Sequence, residues 1–161
     1  MSIISFFKNY KAPKKLRALF IIHYAPLLLI ILIGPVTPIY NIWKIPINFL
    51  LSISIGLLIF IIGTFIYFKW SIFWQKTYNG DIVTEGIFKY IRHPHYCSIL
   101  IVGTGLAFFF YSIFALILSL IAIPIMILSI IDEEKKLLKQ YGKDYSQYMK
   151  KVPYRLIPKI F

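Results

Sequence analysis

The stretch YCSILIVGTGLAFFFYSIFALILSLIAIPIMILSII, residues 96–131, decides the fold. It holds two apolar runs, roughly Tyr96 to Phe110 and Ile113 to Ile131, each near the length of a helix that crosses a bilayer. Tyr111 and Ser112 lie between the runs and leave room only for a tight turn. The stretch therefore predicts an antiparallel hairpin of two membrane helices.

Two further apolar runs precede this hairpin, from Ala18 to Ile33 and from Ile47 to Phe68. The 161 residues are 59% hydrophobic, with a mean hydropathy of +0.75, which is too apolar for a soluble domain. We predict an all-α, polytopic membrane protein with about four transmembrane helices. Its single domain, residues 1–161, divides into an N-terminal two-span part, 1–69, and a catalytic part, 70–161.

The positive charges predict the orientation. Seventeen of the eighteen Lys and Arg residues precede the first run, lie between the second and third, or follow the fourth; Lys44 is the exception. Positive charge favours the cytoplasmic side, so we expect both termini and the active site to face the cytoplasm. The net charge of +12 alone would suggest nucleic acid. In so apolar a chain its placement matters more, and we expect no nucleic-acid partner.

The segment DIVTEGIFKYIRHPHY, residues 81–96, is a polar connection that runs directly into the third apolar run. Pro94 fits the first turn of that helix, where its missing N–H costs nothing. Arg92 and His93 would lie beside the positive end of the helix, where they are suited to hold a carboxylate of a cofactor or substrate. The alternative is contact with lipid headgroups.

Three acids, Asp132, Glu133 and Glu134, follow the last run on a helix that we expect to end at Gly142. Because successive helical residues point about 100° apart, we expect one or two of the acids to turn inward. An inward acid would suit the ammonium or ribose hydroxyls of a cofactor. The alternative is an exposed charged face.

Two aromatic series have helical spacing. Tyr141, Tyr145 and Tyr148 predict a short amphipathic helix at the membrane interface, in which the tyrosines serve packing. Trp70 and Trp74, followed by Tyr78, are typical of an aromatic belt that anchors a helix at the cytoplasmic interface. We expect structural roles for both series.

Several ordered motifs carry a resemblance to a known family. They are Thr84-x-Gly86-Ile87-Phe88, Arg92-His93-Pro94-x-Tyr96, the apolar hairpin, Glu133-Glu134, Tyr141-Gly142-x-x-Tyr145-x-x-Tyr148 and Val152-Pro153. Together they cover roughly Gln75 to Pro153, about half of the chain. This half resembles the isoprenylcysteine carboxyl methyltransferase and phospholipid methyltransferase family of integral membrane enzymes.

The resemblance implies that S-adenosyl-L-methionine is the cofactor and that a lipophilic or lipidated substrate enters from the bilayer. Carried over by position, it implies cofactor contacts at Gln75, Ile82, Val83, Phe88, His93, Pro94, His95, Tyr96 and Glu133. Arg92 and Glu134 are the candidate catalytic residues, and no metal is implied. Methyl transfer depends mainly on positioning; only a protonated amine acceptor would need a base, for which Glu134 and His95 are candidates.

Two positions depart from the family pattern. Isoprenylcysteine enzymes place an arginine for the substrate carboxylate four residues before the acid that corresponds to Glu133, whereas this chain has Ser129. Phe88 stands where a tyrosine that contacts the cofactor is common, so a ring is kept and a hydroxyl is lost. Both departures bear on the substrate more than on the chemistry.

The leading hypothesis is a membrane methyltransferase, most like an enzyme of isoprenylcysteine carboxyl O-methylation. N-methylation of a phospholipid or another lipid amine is the first alternative. A membrane scaffold or transport subunit without catalytic activity is the second. A membrane reductase with a nicotinamide cofactor is a weaker reading, because the sequence has no dedicated phosphate-binding motif.

Overall fold

The computed structural model describes residues 14–160, with side chains described from Tyr24 onward. The helices are α1 (Lys14–Ile33), α2 (Val36–Tyr40), α3 (Phe49–Thr77), a 3-10 helix (Gly86–Lys89), α4 (Pro94–Phe109), α5 (Ile113–Tyr141) and α6 (Lys143–Lys151). No strand forms within residues 14–160, so the predicted all-α class is confirmed. The basic residues Lys8 and Lys11, which entered the charge argument, lie outside the described residues.

Two helices are long and apolar enough to cross a membrane: α3 and α5, each of 29 residues. Helix α4 and the segment Tyr24–Tyr40 are apolar but shorter. Large apolar side chains are exposed along α1, α3 and α5, among them Leu32, Leu58 and Leu128. Exposed apolar surface on this scale is unfavourable in water but matches hydrocarbon.

Helices α3 and α4 approach until their backbones touch. A Cβ atom added to Gly56 would collide with the backbone nitrogen of Phe109, and one added to Gly105 would lie 2.5 Å from that of Phe60. Small residues permit such packing, which helices in lipid use because no hydrophobic effect drives them together. Gly103 differs, since the nearest atom to its added Cβ is 3.5 Å away.

The predicted hairpin forms between α4 and α5. Tyr111 turns the chain with a φ of 56°, and the Ser112 side chain caps α5 by accepting a hydrogen bond from the Ala115 N–H at 3.1 Å. Helix α2 and the loop after it close over this turn. The Thr37 hydroxyl of α2 donates to Ser112 Oγ at 2.8 Å, and the Tyr111 hydroxyl donates to the Ile47 carbonyl of the loop at 2.7 Å. This end of the helices is therefore tied together by polar contacts.

At the opposite end, α5 continues past its apolar run, through the three acids, to Tyr141. Gly142 ends it with a φ of 53°, as predicted, and α6 follows. The chain then returns as a strap, residues 152–155, across the start of α4. The backbone N–H groups of Arg92 and His93 donate to the carbonyls of Tyr154 and Arg155, both at 2.9 Å. The strap joins the end of the chain to the polar connection.

Candidate functional site

Arg92 and Glu134 lie at the centre of a buried ionic cluster. The Arg92 guanidinium donates to Glu134 Oε1 through Nε at 2.8 Å and through a terminal nitrogen at 2.6 Å. Its other terminal nitrogen donates to the Val152 carbonyl at 2.6 Å. The carboxylate that Arg92 holds therefore comes from the chain itself, rather than from a cofactor or substrate as its position in the sequence suggested.

Arg155 completes the cluster from the strap. It donates to Glu134 Oε2 through Nε at 3.1 Å and through a terminal nitrogen at 2.9 Å. Glu134 is thus held by two arginines, one on each oxygen. Our sequence reasoning did not select Arg155, which lies 21 residues after Glu134. Two features of the sequence could have indicated Arg155: a buried acid favours a nearby cation, and Arg155 comes two residues after the Val152-Pro153 motif.

His93 lies between the two glutamates and is itself buried. Its Nε2 is 3.3 Å from Glu134 Oε1, and its Nδ1 is 3.7 Å from Glu133 Oε2. The imidazole can therefore hydrogen-bond to Glu134, whereas Glu133 lies beyond hydrogen-bond distance. The ring is held on the Glu134 side and approaches Glu133 on the other.

The three acids face different surroundings, as their helical spacing predicted. Glu134 is buried, while the side chain of Asp132 is half-exposed and lies 3.9 Å from the Lys135 ammonium. The Glu133 side chain is 39% exposed, yet its Oε2 is buried and has no hydrogen-bond partner among the described residues. Glu133 thus presents an unsatisfied acceptor inside the protein.

Two opposing effects set the ionisation of Glu134. Burial alone would raise its pKa, because it disfavours the charged form. Hydrogen bonds from His93, Arg155 and Arg92, with the charge of Arg92, outweigh burial and lower the pKa from 4.5 to about 2. Glu134 is therefore a stable carboxylate at neutral pH and a very weak proton acceptor.

A cluster of apolar and aromatic side chains adjoins the ionic cluster. Val83 and Phe88 are buried in it with Tyr145, Tyr148 and Val152. Ile82 packs against its edge. The Tyr148 hydroxyl donates to the Phe88 carbonyl at 2.8 Å, which fastens α6 to the 3-10 helix. The packing role predicted for the tyrosines of α6 is confirmed for Tyr148.

The aromatic residues at the end of α3 also belong to this region. Trp74 stacks on Tyr78, with ring centroids 4.6 Å apart, and lies 5.7 Å from Phe88. The Trp70 ring lies 4.3 Å from the His95 ring, and His95 Nε2 is 2.7 Å from the Tyr24 hydroxyl. Because Trp70 packs on His95 and Trp74 packs on Phe88, these side chains form a wall of the candidate site.

The remaining predicted site residues lie at different distances from the ionic cluster. Pro94 is the first residue of α4, as expected, and is buried. Tyr96 is 5.8 Å from His93 between ring centroids but packs in a separate apolar cluster with Met126 and Leu156. Gln75 is exposed and donates to Ser71 of its own helix at 3.2 Å, so the structure does not bring it to the ionic cluster.

Within the part of the chain that the structure describes, no group of three or more His, Cys, Asp or Glu side chains is arranged to hold a metal ion. The cluster instead balances two carboxylates against two guanidinium groups and one imidazole. Its chemistry is ionic and hydrogen-bonding.

Residues 45–144 match the phospholipid methyltransferase family, which is more than half of the chain. The chain belongs to the phospholipid methyltransferase family. The matched region contains α3, the polar connection, the hairpin and the Glu133-Glu134 pair, while Val152 and Arg155 lie beyond it.

The chain is also similar in sequence to a methyltransferase. Over 73 residues the chain is 36% identical to the protein-S-isoprenylcysteine O-methyltransferase of Schizosaccharomyces pombe. The match covers 45% of this chain and 31% of that protein, so the chain spans less than a third of its relative. No solved structure matches the chain.

Proposed function

We propose that the protein is an integral membrane methyltransferase that moves a methyl group from S-adenosyl-L-methionine to a lipophilic acceptor. The observation that carries this proposal is the meeting of two distant motifs. Arg92-His93-Pro94 and Glu133-Glu134 join in one buried ionic cluster beside the aromatic cluster of Phe88. Family membership supports the reaction class.

The residues present fit this cofactor. Glu133 Oε2 is a buried carboxylate oxygen that has no hydrogen-bond donor among the described residues, and an ammonium group is the strongest partner for it. The rings of Phe88 and Trp74 provide flat apolar surface suited to an adenine. We propose further cofactor contacts at Ile82, Val83, His93, Pro94, His95 and Tyr96. Gln75 is also proposed, with the least structural support, because its side chain bonds to Ser71 of its own helix.

When bound, the cofactor supplies an electrophilic methyl group on a sulfonium. The protein then needs chiefly to align the acceptor and to exclude water. We propose that Arg92 and Glu134 hold the site in shape rather than take part in the chemistry. They bond to each other, and each also bonds to the strap, Arg92 at Val152 and Glu134 at Arg155. With its low pKa, Glu134 is a poor base, so His95 is the better candidate if an amine acceptor must lose a proton.

For the acceptor we propose a carboxyl group on an isoprenylcysteine-like lipid, on the strength of the Schizosaccharomyces pombe relative. One observation favours lipid amine N-methylation as the second candidate. Ser129 is buried and donates to the Ile125 carbonyl at 2.8 Å, so no cation for a substrate carboxylate comes from that position. An amine acceptor would not need one.

We propose that the chain forms one membrane domain of four spans, with the site and both termini on the cytoplasmic side. The distribution of Lys and Arg supports this orientation. The ionic cluster lies at the end of α5 where its apolar run gives way to charged residues, which suits a site at the membrane surface. Membrane lipids would then surround α3 and α5.

The first test is calorimetric binding of S-adenosylmethionine to the detergent-purified protein, with NADPH as the control ligand. We expect binding of the former alone, weakened at least tenfold by His93→Ala and unchanged by Ser54→Ala on the exposed surface of α3. Failure of a folded protein to bind S-adenosylmethionine would favour the scaffold, and NADPH binding would favour the reductase.

The acceptor is tested by transfer of a labelled methyl group. A farnesylated cysteine analogue and phosphatidylethanolamine, each in mixed micelles, are offered separately. Base-labile label on the cysteine analogue identifies a methyl ester, and stable label on the phospholipid identifies N-methylation. Transfer to the phospholipid alone would overturn the carboxyl acceptor.

A further inference from the structure

Of the three tyrosines Tyr141, Tyr145 and Tyr148, the middle one differs in the hydrogen bonding of its hydroxyl group. The Tyr148 hydroxyl donates to the Phe88 carbonyl, and the Tyr141 hydroxyl donates to the Gly80 carbonyl at 3.0 Å. Tyr145 is the most buried of the three, at 2% exposure, and its hydroxyl has no hydrogen-bond partner among the described residues. Tyr145 therefore carries an unsatisfied polar atom into the protein interior.

A buried hydroxyl without a partner is unfavourable, because it gives up its hydrogen bonds to water and gains none in the protein. Phenylalanine would fill the same volume in the Val83 and Phe88 cluster without that loss. Packing in this cluster thus accounts for an aromatic ring at position 145 but not for the hydroxyl group that the ring carries. A ligand that bonds to the hydroxyl would account for it.

The surroundings of the hydroxyl indicate which ligand group would bind. Burial raises the pKa of Tyr145, and the charges of Glu134, Arg92 and Glu133 act on it as well. The hydroxyl is therefore neutral at physiological pH and lies within electrostatic reach of the ionic cluster. It is available as a hydrogen-bond donor in the same region where Glu133 Oε2 lacks one.

We propose that Tyr145 is a further cofactor-binding residue, whose hydroxyl donates to the carboxylate of S-adenosylmethionine while Glu133 Oε2 accepts from its ammonium group. The two protein atoms are complementary, one a donor and one an anionic acceptor. The amino-acid end of the cofactor offers the matching pair on a single carbon. A ribose or an adenine offers no cation to balance a buried carboxylate.

This inference rests on the proposed function and adds a residue and an orientation to it. The amino-acid end would lie between α6 and the start of the charged part of α5. The adenine would then be free to reach the aromatic side chains around Phe88 and Trp74. The orientation follows from the two unsatisfied atoms alone.

The test pairs Tyr145→Phe with Tyr148→Phe, because each removes one hydroxyl from the same helix. For Tyr145→Phe we expect affinity for S-adenosylmethionine to fall about tenfold or more, the usual size of one hydrogen bond to a charged group. Its melting temperature without ligand should be unchanged or higher. For Tyr148→Phe we expect a lower melting temperature, because the Phe88 carbonyl loses its donor, whereas Tyr145→Phe should lose affinity without that loss of stability.

Decarboxylated S-adenosylmethionine identifies the group that Tyr145 contacts. It keeps the ammonium and the sulfonium but lacks the carboxylate, so we expect Tyr145→Phe to bind it as well as the wild type does. Calorimetry measures both ligands with both proteins. An equal loss for both ligands would overturn the assignment to the carboxylate.

Two failures remain distinguishable. If the wild type binds no S-adenosylmethionine, the proposed function fails and this inference fails with it. If the wild type binds and Tyr145→Phe binds equally well, the proposed function stands and the role of Tyr145 is refuted. A clear loss of thermal stability in Tyr145→Phe would also refute it, because the hydroxyl would then have a structural partner.

Discussion

Two nitrogens of Arg92 donate to one oxygen of Glu134, at 2.6 and 2.8 Å, with side chains only 3% and 5% exposed. Such a pair requires further hydrogen bonds to offset the loss of water. They come from Val152, whose carbonyl accepts from Arg92, and from Arg155, which donates to the second oxygen of Glu134. The ion pair therefore links the polar connection that precedes α4 to α5 and to the strap.

Neutralising Glu134 should destabilise the protein far more than neutralising its neighbour. In Glu134→Gln two guanidinium groups lose their anion, and breaking a buried pair costs about 3–5 kcal/mol. Glu133→Gln removes a carboxylate that makes no hydrogen bond through Oε2, so we expect a nearly unchanged melting temperature and weaker binding of S-adenosylmethionine. Thermal unfolding in detergent measures the first effect and calorimetry the second. Equal melting temperatures for the two variants would contradict the geometry.

Glu134 should also contribute an acid transition to the stability. Its pKa is lowered from 4.5 to about 2 by folding, so its contribution is fully present above about pH 4.5 and is lost as the pH falls towards 2. The melting temperature of the wild type should therefore approach that of Glu134→Gln between pH 5 and pH 2.5. Differential scanning fluorimetry across this range measures the gap. A gap that does not narrow would show that Glu134 is not ionised in the native protein.

Arg155 should act through Glu134. Arg155→Gln removes two hydrogen bonds to Oε2; because the Arg155 side chain is 30% exposed, we expect a stability loss of only about 1 kcal/mol. The acid transition should move to higher pH, because one of the groups that lower the Glu134 pKa is gone. The control is Lys150→Gln, an exposed cation of α6, which should change neither property. An unmoved transition in Arg155→Gln would argue against the contact.

The close packing of α3 and α4 gives a test with a control on the same helix. In Gly105→Ala the new methyl group would meet the Phe60 backbone at 2.5 Å, so the helices must separate at a cost of about 1–3 kcal/mol. In Gly103→Ala it would meet side-chain atoms no closer than 3.5 Å, which is an ordinary contact. We expect a lower melting temperature for the first variant only. Similar values for both would show that the helices pack less closely than described.

The apolar helices and their ends could be predicted because local properties determine them. The runs at 96–110 and 113–131 became α4 and α5, and the turn at Tyr111 and Ser112 and the stop at Gly142 lie where the residue types require. Helix α5 extends ten residues beyond its apolar run because the Glu, Lys, Leu and Gln residues that follow Asp132 are good helix formers. The short α2 was not predicted, because it depends on contacts such as that of Thr37 with Ser112.

Most residues of the candidate site could be predicted from the sequence, but which of them pair with each other could not. The sequence identified Arg92, His93, Glu133 and Glu134, and helical spacing indicated that not all acids could face inward. It did not distinguish Glu134 as the buried partner of Arg92, and Arg155 was missed. The 42 residues between Arg92 and Glu134 are bridged by the hairpin, so their contact depends on how α4 and α5 pack.

The sequence by itself determined that the chain is helical, that it carries membrane-spanning lengths of apolar residues and that its ionisable groups gather around two motifs. These are properties of neighbouring residues, governed by hydrophobicity, helix geometry and turn chemistry. Only the tertiary structure decided which charges meet, that the strap closes over Arg92, and that Glu133 Oε2 and the Tyr145 hydroxyl are buried without hydrogen-bond partners among the described residues. Those outcomes depend on distances between segments far apart in the chain, which helix packing and the return of the C-terminal strap set.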